Sequence, residues 1–292
     1  MRVHHLKCGA MQPYGGALFD GQTRGLGPAE LCCHCLLLEI GSRLVLVDTG
    51  TVSADPEAAA YNHSPFFRVV DRIRLDPAEA AANQLAATGH APADVTDIVM
   101  THLDFDHAAG LVDFPAARIH LSATEAAAAR HPSGPINRAR YQPAQFGKSE
   151  PNWRTYARFN QDWFGLPMAE LEDLPELSLI ALPGHTPGHC GVAVQEDGGW
   201  LLHAGDAIFN GRELDPVHPH TPSGARAYQW LMQTSQVRRR RSLKQLRRLK
   251  RDHAGEISII CTHDPSMIKS HSGASSGFTR AEVKRAPPEA RL

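Results

Sequence analysis

Thr101-His102-Leu103-Asp104-Phe105-Asp106-His107 places four metal-ligand residue types within six positions, directly after the apolar run Asp97-Ile98-Val99-Met100. Ligands at i, i+2, i+4 and i+5 cannot share one face of a regular strand or helix, so the segment must turn. A tight turn there can aim two ligands at each of two neighbouring ions. The same arrangement recurs downstream. Pro183-Gly184-His185-Thr186-Pro187-Gly188-His189 follows Ser178-Leu179-Ile180-Ala181-Leu182, Gly205-Asp206 follows Trp200-Leu201-Leu202, and His263-Asp264 follows the run from Ile257 to Cys261. Four separate strand-to-loop junctions thus supply His or Asp, and strand ends are where a rigid scaffold lets loops point side chains into a common crevice.

The intervening sequence reads as alternating strands and helices. Residues 35–47 form two apolar runs separated by Gly41 and Ser42, a hairpin signal, and the second run ends in Asp48-Thr49-Gly50. Asp76-Pro77-Ala78-Glu79 predicts a capped helix closed by Gly89, and Ser122-Ala123-Thr124-Glu125 a second one stopped by Pro132. The stretch from Asp55 to Arg74 reads as a long loop or short irregular helices. Residues 132–167, rich in Pro, Asn and aromatics from Tyr141 to Phe164, read as a loop that either covers a pocket or packs its own aromatic cluster. Strands resume from Leu177, with Asp197-Gly198-Gly199 as a turn. A basic helix spans Arg238–Asp252, with Val237, Leu243, Leu246 and Leu249 as its packing stripe. These two successive blocks predict an α/β (α+β) protein in which two mixed halves pack sheet against sheet with helices outside.

The composition fits that class. At 292 residues, 42% hydrophobic and 21% charged, the chain can bury one large core, expected over residues 1–269, with residues 270–292 as a loose tail. A net charge of -1 argues against a surface that traps nucleic acid or membrane as a whole. No apolar run approaches a bilayer span and the first residues lack a secretory pattern, so a cytoplasmic protein is expected. Seventeen His beside five Tyr and four Trp is a surplus of the commonest metal ligand. Cys32, Cys33, His34 and Cys35 contain a Cys-x-x-Cys spacing, but no second pair exists to close a zinc site. They read instead as the start of the strand through Leu38.

Taken in order, Asp48-Thr49-Gly50, His102 to His107, Pro183 to His189, Gly205-Asp206 and Thr262-His263-Asp264 resemble the signature of the metallo-β-lactamase superfamily. The resemblance covers about residues 35–264 and is nearest in pattern to its N-acyl-homoserine lactonase branch. It implies a four-layer αβ/βα sandwich with metals at one edge and a metal-dependent hydrolase that uses a hydroxide shared by two ions. It also implies that His102, Asp104 and His185 hold a first ion, that Asp106, His107 and His263 hold a second, and that Asp206 bridges them. Asp106 or Asp206 would move the proton. His189 would stand behind the ligands, and Asp48 would either orient a ligand His or cap the turn with Gly50.

Two positions depart from the family pattern. Most of its hydrolases have His where Asp104 stands, and a carboxylate is a harder donor, so manganese or iron is open beside the zinc usual in the family. Lactonases of this kind carry Tyr three residues after the bridging Asp, whereas this chain has Phe209, which offers no hydroxyl; His218, His220 and Tyr228 are the candidate substitutes. The sequence therefore points first to a lactone or carboxylic ester as a small-molecule substrate. A phosphodiesterase or nuclease follows, prompted by Arg238 to Arg251, and then a di-iron redox protein, prompted by Asp104. No membrane partner is expected, and a homodimer is compatible with the sequence.

Overall fold

The long β-branched and Leu-rich runs dictate two sheets. The computed structural model describes residues 1–51 and 64–271. The first sheet contains β1 (Arg2–Met11), β2 (Leu31–Ile40), β3 (Arg43–Val47), β4 (Ile73–Arg74), β5 (Val95–Val99), β6 (Arg118–Ser122) and β7 (Trp153–Tyr156), in the order β4-β1-β2-β3-β5-β6-β7. The second contains β8 (Gln161–Trp163), β9 (Leu166–Leu171), β10 (Leu174–Ala181), β11 (Cys190–Glu196), β12 (Gly199–His203) and β13 (Ile257–Ile260), in the order β13-β12-β11-β10-β9-β8. Both are mixed: β3, β5, β6 and β7 run parallel to one another, as do β12 and β13, and the remaining pairs are antiparallel.

The side-chain period of two sorts each strand between layers. Leu36, Leu38, Val45 and Val47 face Leu177, Leu179, Val192, Val194 and Leu201 in the core between the sheets. Leu37, Leu44 and Leu46 turn the other way, into a core with Leu85, Leu111 and Ala126 from the outer helices. Ile180, Leu202 and Ile259 lie under Leu246 and Leu249 of the Gln236–Asp252 helix. This is the expected four-layer sandwich. Its central strands are buried on both faces, which is why they read as continuous apolar runs rather than alternating ones.

Several local readings change. The Cys cluster lies inside β2, which begins at Leu31; Cys32, Cys33 and Cys35 are buried free thiols. The expected helix after Asp76 is broken into 3-10 turns at Pro77–Glu79 and Leu85–Thr88 around Ala81–Gln84. Glu79 does not bond back to the cap but reaches Lys7 Nζ at 2.6 Å. Residues 132–167 are not one loop; they contain helices Gly134–Arg140 and Pro143–Phe146 and the strands β7 and β8. Of the segment 55–74, residues 55–63 lie outside the described residues, Pro65–Val70 form a helix and Ile73–Arg74 a strand. A helix over Pro265–His271 takes in the first two residues assigned to the tail, and residues 272–292 lie outside the described residues. In the basic helix Val237 is 80% exposed, and the buried stripe is Arg239, Ser242, Leu246 and Leu249. No helix among the described residues is long and apolar enough to cross a membrane.

Candidate metal centre

β5 ends at Val99, and the chain then turns through Thr101 to Asp104 before a single helical turn, Phe105–Ala108, carries Asp106 and His107 back toward it. The turn is held from beneath by Asp48. Its Oδ1 accepts the Thr101 backbone N–H at 2.8 Å, and its Oδ2 accepts the Thr101 hydroxyl and His107 Nδ1, each at 2.7 Å. Asp48 adopts φ 56°, a left-handed conformation that Asp tolerates better than most non-glycine residues. Gly50 follows at φ 61°, where a Cβ would meet the Cys8 carbonyl at 2.3 Å. Asp48 therefore orients a histidine as well as shaping the turn.

The second sheet supplies the other half. His185 stands after β10, Asp206 in a 3-10 turn after β12, and His263 after β13. His185 Nε2 lies 3.0 Å from Asp104 Oδ2, and His263 Nε2 lies 3.0 Å from Asp206 Oδ2. His107 Nε2 lies 3.2 Å from Asp206 Oδ1 and 3.5 Å from Asp106 Oδ2. Ligating atoms fall within 4.8 Å of one another in three sets: His102, Asp104 and His185; Asp106, His107 and His263; and His102, His107 and Asp206. All seven residues are buried.

The donor atoms fit metal ions. His107 Nδ1 donates to Asp48, and His263 Nδ1 to the Cys32 carbonyl at 2.9 Å. The Thr101 hydroxyl gives its proton to Asp48, so it accepts from His102 Nδ1 at 3.0 Å. Each of these bonds turns the Nε2 lone pair inward, as a metal-binding imidazole requires. His102 Nε2, His107 Nε2 and Asp206 Oδ1 are buried without a hydrogen-bond partner among the described residues. Leaving such polar atoms unsatisfied is costly unless another charge meets them. His189 is built differently. Its Nδ1 donates to the Leu182 carbonyl at 3.0 Å and its Nε2 accepts the Asp206 backbone N–H at 2.9 Å, so both nitrogens are committed and the ring steadies Asp206 from behind.

Two residues escaped the sequence reading. Glu125 is fully buried and does not close its helix cap. It accepts from the Leu103 N–H at 3.1 Å, the Tyr141 hydroxyl at 3.0 Å, the Thr186 hydroxyl at 2.6 Å and the Gly188 N–H at 3.1 Å. It thereby joins the two ligand loops. A Cβ on Gly188 would meet the Glu125 backbone at 2.1 Å, which explains that glycine. Arg140 is also fully buried, with Nε 3.3 Å from Asp104 Oδ1. Burial alone would raise the Asp104 carboxyl, but Arg140, with His102 and His185, holds it well below the usual carboxylate range. The Glu three residues past Ser122 was a signal assigned to the wrong partner; Arg140 had no signal at all.

Over the seven clustered residues lies a narrow recess. Asp104, Asp106, His185, Asp206 and His263 form its floor, and Met11, Pro13, Phe19, Leu31, Phe105, Phe209 and Met232 form apolar walls. Asp71 and Tyr228 are the other polar residues lining it. In this conformation it has room for about one water molecule. Phe209 and Tyr228 therefore belong to the recess, their rings 5.9 Å apart, whereas His218 and His220 are exposed and do not line it. The aromatic segment from Tyr141 to Phe164 does not cover it either. Tyr141, Phe146 and Trp153 enter the outer core of the first sheet, and Trp163 and Phe164 the outer core of the second.

The model of the metallo-beta-lactamase superfamily matches residues 30–255. The chain belongs to that superfamily. Among curated relatives, a probable metallo-hydrolase of Mycobacterium tuberculosis is 35% identical over 271 residues, covering 92% of this chain and 82% of the relative. An N-acyl homoserine lactonase of a Bacillus species is 28% identical over 217 residues, covering 71% and 78%. Among solved structures, a variant of AiiA from B. thuringiensis with N-decanoyl-L-homoserine bound at the active site superposes with a TM-score of 0.66 at 22% identity, covering 92% of this chain and 95% of that one. A probable metal-dependent hydrolase from Staphylococcus aureus gives 0.66 at 17%, covering 90% and 88%. Family membership and the metallo-hydrolase relatives make the chain a metal-dependent hydrolase, and the clustered His and Asp residues are compatible with that.

Proposed function

We propose that the chain hydrolyses lactones or related carboxylic esters, using two divalent ions held by the seven converging ligands. The observation that carries this reading is the recess itself: apolar walls suited to an acyl group stand over a floor of His and Asp, with one phenol and one carboxyl among the walls. His102, Asp104 and His185 would hold one ion, Asp106, His107 and His263 the other, and Asp206 would be shared. Zinc is the family's usual metal, and the Asp104 carboxylate also suits manganese or iron. When bound, the ions supply Lewis acidity and make a water nucleophile available near neutral pH.

The chain's own residues would do the remaining work. Met11, Phe19 and Met232 keep bulk water from the floor, and the two unbranched methionine side chains can move aside for an acyl group. Asp106, on the floor of the recess, can take and return a proton there. Asp206 is held for its shared position by the N–H bond to His189. Tyr228, beside Phe209, can donate its hydroxyl proton to a carbonyl oxygen in place of the tyrosine that Phe209 replaces. The Bacillus relatives named N-acyl homoserine lactonase, at 26–28% identity, support the lactone class.

A second reading, phosphodiester hydrolysis, is favoured by a surface groove of about 950 Å³ whose lining includes Arg226, Arg240, Lys244 and Arg247 beside the exposed Trp230. The two separate in one assay. Protein loaded with manganese or zinc should release protons from a panel of acyl lactones, and chelated protein and Asp206→Ala should not. Silence toward lactones from a metal-loaded protein that cleaves a phosphodiester would reverse the order.

A further inference from the structure

Asp104 gives the centre a third carboxylate, beside Asp106 and Asp206, at a position where most of the family has a neutral imidazole. The fold surrounds that extra charge in a specific way. Arg140 ends the Gly134–Arg140 helix with its side chain fully buried, and its guanidinium reaches three groups. Nε lies 3.3 Å from Asp104 Oδ1, Nη1 donates to the His185 carbonyl at 3.0 Å, and Nη2 donates to the Met232 carbonyl at 2.6 Å. Among the described residues Asp104 is its only ion-pair partner. The two carboxylate oxygens are thus divided: Oδ1 faces Arg140, and Oδ2 faces His185 Nε2 at 3.0 Å and His102 Nε2 at 3.5 Å.

We propose that Arg140 is the counter-charge that lets a carboxylate serve as a ligand of the first metal position, and that the Asp104–Arg140 pair sets the metal preference there. With His at position 104 the ligands would carry two negative charges. Asp104 makes three, and Arg140 returns the sum over these groups to two, so the ions would meet the same charge from them through a harder donor. Arg140 stands on the Oδ1 side, so Oδ2, beside His102 and His185, is the oxygen turned toward the first metal position. A guanidinium is suited to this role, since it stays charged when buried and its planar fork bonds two carbonyls while its Nε edge faces the carboxylate. A purely structural strut between the His185 and Met232 carbonyls would not need a carboxylate on its third edge.

This inference rests on the metal reading of the site and is independent of the substrate. The test uses the full chain as wild type, Arg140→Gln, Arg140→Lys, Asp104→His, and Asp104→His with Arg140→Gln. Metal content is read by elemental analysis after competition between manganese and zinc, zinc affinity by chelator titration, and melting temperature on chelated protein. Asp104→His alone leaves Arg140 buried beside a neutral ring, so zinc should bind the first position at least about tenfold more weakly, and the added Arg140→Gln should recover most of that loss. The double variant should also take up a smaller share of manganese than wild type, while Arg140→Lys should keep the wild-type share. If the double variant binds zinc no better than Asp104→His, or if Arg140→Lys shifts the share as far as Arg140→Gln does, Arg140 is a strut and the proposal fails. A wild-type chain that takes up no metal would overturn the metal reading and this inference with it.

Discussion

Two concentrations of charge in this molecule obey opposite rules. In the centre, three carboxylates, four imidazoles and a guanidinium are buried, and specific partners behind Asp104, Asp206, His102, His107 and His263 set their orientation. On the Gln236–Asp252 helix, nine Lys and Arg side chains accompany one acidic residue, Asp252, and most project into water. The exception is instructive. Arg239 is buried, and it alone among these cations is bonded to two glutamines, Gln233 at 2.9 Å and Gln229 at 3.1 Å. Burial forces a charge to acquire defined partners, whereas exposure lets water serve, so a dense exposed run says less about function than a sparse buried cluster does.

That contrast can be broken most decisively at Asp206, the proposed shared ligand. Asp206→Ala should cost at least about a thousandfold in hydrolysis and leave fewer than two ions per chain, read by turnover and elemental analysis on one sample. Asp48→Asn tests the layer behind: the ligands stay, but His107 loses its anionic anchor, and chelator titration should show metal affinity lowered about 10–100-fold.

A smaller effect is expected at Asp71, in the recess wall. Burial pushes its carboxyl up to about 8, with the charge of Asp106 adding and Tyr228 opposing. The unfolded carboxyl titrates near 3.9, so between about pH 4 and pH 8 the native chain holds a proton that the unfolded chain has released. Stability from this residue is therefore full below about pH 4 and declines as pH rises to about 8. On chelated protein, the melting temperature of Asp71→Asn should gain on wild type steadily across that window; a constant difference would contradict the assignment. Least of all should happen on the exposed helix face, where Arg241→Ala is expected to change stability by no more than about 0.5 kcal/mol in denaturant titration.

The candidate ligands were readable because each follows a strand, and a strand leaves a strong local pattern. His102 to His107, His185, Asp206 and His263 all stand where an apolar run stops, and the structure brings them together. Their supports were not readable. Arg140 and Glu125 owe their positions to contacts between residues 36 and 92 positions apart and 16 to 63 apart, respectively, which no local window spans. The Ser122-x-x-Glu125 spacing even pointed to a local bond that tertiary contacts replaced. The aromatic segment misled in the opposite sense: its density suggested a pocket cover, but three separate cores absorb those rings.

The seam between the sheets carries one more consequence. His102, Asp104, Asp106 and His107 hang from the first sheet, and His185, Asp206 and His263 from the second, so the two halves meet at the ligand cluster as two jaws meet at a bite. Ions gripped from both sides would act as rivets across the sandwich. Their loss would be felt first as a faster rate of opening under protease or heat, making the durability of the protein a property of its metal supply as much as of its core.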